Sequence, residues 1–61
     1  MKNKKKYVQR IKQLRKEKRL SLRKLQPLVN IDFSRISDIE NGKVNVTIDT
    51  LDKIIKVLEN Y

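Results

Sequence analysis

Apolar residues recur at helical intervals in four stretches of the chain, separated by polar or turn-forming residues. Tyr7, Ile11 and Leu14, with Val8 on the flank, predict a first helix over about residues 7–18 whose remaining positions are nearly all basic or amide. Leu22, Leu25 and Val29 mark the buried side of a short second helix. Ser21 is placed to cap it, its hydroxyl taking a free amide proton of the first turn. Pro27 falls inside that pattern, and its missing N–H predicts a helix that is kinked or ends early. Asn30, which tolerates left-handed backbone better than most residues, closes it. Asp32 caps a third helix with Ile36 and Ile39 as its buried pair, and Asn41-Gly42 ends it. Val44-Asn45-Val46 reads as a short extended link. Thr47 then caps a fourth helix with a broad stripe of Ile48, Leu51, Ile54, Ile55 and Leu58, while Asp49 and Asp52 near its start suit the helix dipole. The expected architecture is all-α, a compact four-helix domain over residues 7–61 preceded by a basic tail at 1–6.

Composition narrows what such a domain can be. A chain of 61 residues buries only about 60% of the surface its unfolded form exposes, near the lower limit for folding unaided. With no cysteine and no histidine there is neither a disulfide nor a cysteine–histidine zinc site to help. Stability must come from apolar packing, helix caps or a second copy of the chain. The missing cysteines fit a reducing cytoplasm. No apolar run approaches the roughly 18 residues of a membrane span. The MKNKKK start has the charge of a signal peptide but lacks the apolar stretch that follows one. A soluble, unprocessed cytoplasmic protein is expected.

The net charge of +9 is unevenly placed. Residues 1–24 hold twelve Lys or Arg against the single acid Glu17, a balance of +11; residues 25–61 hold four bases against six acids, a balance of −2. Such asymmetry points to a polyanion, nucleic acid first and anionic membrane next, against the plainer reading of a lysine-rich tail that keeps the chain soluble.

Two short helices joined by Asn30-Ile31-Asp32, the second capped and closed by Gly, make a helix-turn-helix. Here the sequence resembles the phage Cro and repressor type, the Xre family. The residues that carry the resemblance are LRKEKRLSLRKL (14–25), SRISDIENGK (34–43) and TIDTLDKIIKVL (47–58), and it extends over about residues 7–58. It implies a lambda-repressor-like fold, with a fifth short helix in many relatives, and double-stranded DNA as the partner. The chain departs from the family at Gln26, where a small residue is usual, at Asn30 for Gly, at Val46 for Pro and at Leu22, where phage repressors often place Gln.

With Ile36 and Ile39 buried, about 100° per residue puts Ser34, Ser37, Asp38 and Asn41 on the opposite face, with Phe33 and Arg35 on its flanks. The resemblance implies that this face enters the major groove, giving Asp32, Phe33, Ser34, Arg35, Ser37 and Asp38 as base-reading candidates. Phe33 can pack on a thymine methyl, the two serines serve most bases, and Asp38 can accept from cytosine N4. Each has a plainer alternative: Phe33 folded onto the core beside Leu25, Asp38 paired with Arg35, the serines merely solvated. Phosphate contacts are expected from Ser21, Leu22, Arg23 and Lys24 at the start of helix 2, where free amides and the dipole favour anions. Asn41, Lys43 and Asn45 match family positions that hold the opposite strand, and a charged face that only aids solubility is the alternative. Arg15 and Glu40 align with an interhelical ion pair of the phage repressors that orients an arginine toward a phosphate; two unrelated surface charges are the other reading.

An enzyme is not expected: the chain has no histidine, cysteine or glycine-rich phosphate loop, and no cofactor is implied. The rival is a protein-interaction module, since helix-turn-helix antitoxins and adaptor subunits share this fold. A cationic helix on a membrane is disfavoured by the narrow stripe of Tyr7, Ile11 and Leu14. A homodimer, complete on DNA, is expected through Ile55, Val57, Leu58 and Tyr61.

Overall fold

A computed structural model describes residues 4–61, and among these the chain forms four helices and no strand. They are α1 (Lys4–Glu17), α2 (Leu22–Val29), α3 (Phe33–Glu40) and α4 (Ile48–Glu59). The longer α1 and α4 pack against each other as a scaffold, and the short α2 and α3 pack together on it. Seven side chains are sealed almost completely at the centre: Ile11, Leu25, Ile36, Ile39, Leu51, Ile54 and Leu58. All four helices contribute to this one core.

The expected caps are present. Ser21 Oγ accepts from the Lys24 N–H and Thr47 Oγ1 from the Thr50 N–H, at 3.1 and 3.3 Å. Asn30 takes the left-handed backbone at φ 57° and closes α2 through its N–H to the Gln26 carbonyl. After α3, the Gly42 N–H bonds to the Ile39 carbonyl and the Lys43 N–H to the Asp38 carbonyl, with Gly42 at φ 70°. That is a Schellman closure.

The same closure ends α1 on an arginine. Arg19 sits at φ 56°, its N–H bonds to the Lys16 carbonyl, and the Leu20 N–H reaches the Arg15 carbonyl at 3.0 Å. A non-glycine residue in this conformation is strained. The compensation is apolar: the closure turns Leu20 into the core, of which Leu14 is also part. No periodicity marks Leu20 as core, because it lies outside every helix.

Three expectations need correcting. Helix 1 starts at Lys4 rather than near Tyr7, so the Lys4–Lys6 part of the expected tail is helical; Met1–Asn3 lie outside the described residues. Lysine is a good helix former and needs no apolar face to extend a helix begun by its neighbours. The Lys4 ammonium is also tied to Asn45 Oδ1 at 3.0 Å. Of the two outcomes expected of Pro27, the early end does not occur, since α2 continues to Val29; the ring removes one backbone donor, and Pro27 lies exposed. Leu58 is fully buried in its own chain's core and so is no part of a pairing surface.

Candidate nucleic-acid interface

The two helices of the turn begin differently. At the start of α2, the side chain of Ser21 satisfies one amide, that of Lys24. Leu25 N–H bonds to the Ser21 carbonyl, which leaves the Leu22 and Arg23 amides without an acceptor in the helix. Ser21, Arg23 and Lys24 are exposed and Leu22 half-buried. Free amides, a positive dipole end and two cations together suit a phosphate oxygen.

The start of α3 is already occupied. The Phe33 N–H donates to Gln26 Oε1 at 2.9 Å, and the Ser34 N–H to the Asp32 carboxylate at 3.1 Å. The Ser34 hydroxyl donates to the same Asp32 oxygen. These bonds, the hydroxyl first and the backbone N–H second, hold the Asp32 carboxyl below its ordinary value of 3.8. Of the residues expected to read bases, Asp32 is thus also the cap of the helix that carries them.

Phe33 lies outside the core: it is half-buried, and its ring is covered by the Arg23 guanidinium at 4.7 Å from the centroid. This stack joins the start of α2 to the start of α3. Ser34 and Arg35 are exposed, Ser37 and Asp38 half-buried. Asp38 forms no ion pair with Arg35 or any other of the described residues. The Asn41 amide reaches back to Ser37 Oγ at 3.4 Å, and Lys43 and Asn45 continue outward along the exposed link. The outer face of α3 therefore runs between two donor sets, one touching its beginning at Phe33 and the other starting at its C-cap, Asn41.

Glu40, at the end of α3, is 7% exposed and the only buried charged residue among those described. Arg15 Nε and Nη2 donate to its two oxygens at 2.8 and 2.9 Å, and Arg15 Nη1 donates to the Leu20 carbonyl at 3.1 Å. The paired geometry is the strong, bidentate kind. Arg15 engages three of its five donors in this way. The described residues hold no cluster of acids suited to a metal ion.

Sequence reasoning missed Gln26. A glutamine inside α2 carries no capping signal, and its bond to Phe33 exists only because α3 folds back alongside. The family's usual small residue would leave the Phe33 amide unserved at that point.

A short helix, a tight left-handed turn and a second helix with a polar outer face define a helix-turn-helix domain. A family model described as helix-turn-helix, of the Cro and phage-repressor (Xre-like) type, matches residues 11–60, and the chain belongs to this family. The family is one of DNA-binding regulators. Neither the curated proteins nor the solved structures give a match. No helix among the described residues is long and apolar enough to cross a membrane.

Proposed function

We propose that this chain is a sequence-specific double-stranded DNA-binding repressor that seats α3 in the major groove. One observation carries the reading: the outer face of α3 is flanked at both ends by donors suited to phosphate. Ser21, Leu22, Arg23 and Lys24 hold one strand, and Asn41, Lys43 and Asn45 hold the other, with Arg15 behind them offering its remaining donors. Base selection falls to Ser34, Arg35, Ser37 and Asp38, with the edge of Phe33 available to a thymine methyl and Asp32 at the head of the face.

One such helix reads few base pairs, too few to find a site among a genome of competitors. The functional form is therefore a homodimer. Since Leu58 belongs to the core, the pairing surface shifts to Leu28, 40% exposed, and Val57, which line one shallow hollow with Ile31 and Thr50. A two-fold pair sets the recognition helices about 34 Å apart, one turn of DNA.

Selection of bound duplexes from a random pool tests this directly. Inverted half-sites about 10 base pairs between centres are expected, together with a salt slope reporting about 4 to 8 neutralised phosphates per dimer. Leu28→Asp should abolish two-to-one binding. Asymmetric sites bound by one chain would overturn the dimer, and a slope near zero the DNA reading. A second reading, a protein-interaction module, draws on the unpaired carboxylate of Asp38 on the outer face; it predicts that flat slope.

A further inference from the structure

The basic residues of α1 divide into two edges, and the division follows from the core. With Ile11 and Leu14 turned inward, about 100° per residue sends Lys6 and Arg10 to one side and Lys12 to the other, with Lys16 one turn past Lys12 and turned further toward solvent. The first edge faces α4: Lys6, Tyr7 and Arg10 surround Ile55, and Arg10 Nη2 reaches Glu59 at 3.5 Å. The second lies beside Arg15, whose guanidinium points to Glu40 of α3. That edge faces the end of α3 and the link after it.

We propose that Lys12, with Lys4 at the head of this second edge and the exposed Lys16 one turn further on, is a further phosphate-binding track that widens the DNA footprint beyond the helix-turn-helix. The proposal rests on the DNA-binding reading above and adds contacts outside the two helices of the turn. Lys4 and Lys12 line a groove of about 460 Å³ whose opposite wall is Asn41, Gly42, Val44 and Val46. The track is therefore continuous with the donor set at Asn41–Asn45.

Charge accounting favours it. Glu40 is the one acid on the groove wall, and both its oxygens are bonded to Arg15. Lys12 and Lys16 form no ion pair among the described residues, whereas Arg10 on the other edge does. Lys4 donates to Asn45 Oδ1 at 3.0 Å, so what Asn45 has left to present is its NH2 group, a donor for a phosphate oxygen. From Lys4 to Lys16 the helix rises about 18 Å, which along the duplex axis corresponds to about five phosphates of one strand. Lysine contacts of this kind add affinity without reading sequence.

The test measures salt dependence of binding to the selected site and to a random duplex for two double variants that remove equal charge. Lys12→Gln/Lys16→Gln removes the track; Lys6→Gln/Lys56→Gln removes two cations from the α4 side. Both leave the core untouched, and thermal melts check this. The track variant should lower the log–log slope by about 2 per chain and weaken both duplexes by the same factor, while the control keeps the wild-type slope. Equal losses in the two variants, or none in the track variant, would overturn the track while the DNA reading stands. A flat wild-type slope would overturn the DNA reading itself and the track with it.

Discussion

At its beginning α3 is held by Gln26, Asp32 and the Arg23–Phe33 stack, contacts at or near the surface. At its end it is held by Glu40, buried and bonded twice to Arg15 of α1. Surface contacts of the first kind contribute little each and yield easily. A buried charge is different, because removing its partner leaves an ion that water cannot reach. The end of α3 is therefore the costlier of the two to release.

The largest effect should come from breaking the anchored end. Glu40→Gln leaves Arg15 facing an uncharged amide at a site where the arginine is 18% exposed. The fold should lose about 1–3 kcal/mol in denaturant unfolding, and affinity should fall on specific and random duplex alike. Unchanged melting and unchanged affinity would show the pair to be idle. At the other end, Gln26→Ala installs the small residue usual in the family yet should destabilise this chain by about 0.5–1.5 kcal/mol, since the Phe33 amide loses its acceptor. A variant as stable as wild type would mean that water replaces Gln26 without loss.

The smallest effect is electrostatic. Asp32 titrates below 3.8 in the folded protein, so its carboxylate contributes stability that is present above the unfolded value and is lost as pH falls through the folded one. The stability difference between wild type and Asp32→Asn should shrink as pH drops below 3.8, with little change between pH values well above it. A difference that stays constant through the acid limb would show that the cap bonds equally well when protonated.

The caps were legible residue by residue. Ser21, Asn30, Gly42 and Thr47 each perform in the structure the local role their chemistry suggests. The boundary of α1 was not, because its first turn, Lys4–Lys6, carries no apolar residue for periodicity to register. Pro27 reads as a kink or an early end, yet α2 runs two residues past it to the Asn30 cap. In the candidate site, the residues at both ends of α3 were identified from the motif, but which of them are engaged within the protein was hidden. Phe33 is a case in point, since only the approach of Arg23 shows that its ring is covered from α2 and excluded from the core.

By itself, then, the sequence determined the four helices, the turn between the second and third, the polar character of the outer face and the uneven charge. All of these depend on residues within a turn or two of each other, where spacing and side-chain chemistry act directly. Only the tertiary structure decided that Leu20 is core, that Leu58 is sealed within its own chain rather than left for pairing, that Gln26 caps a helix other than its own, and that α1 turns one basic edge to α4 and the other toward Asn41. These join residues far apart in the chain, and they arise when apolar burial brings helices into contact and leaves each polar group to find a partner or stay exposed.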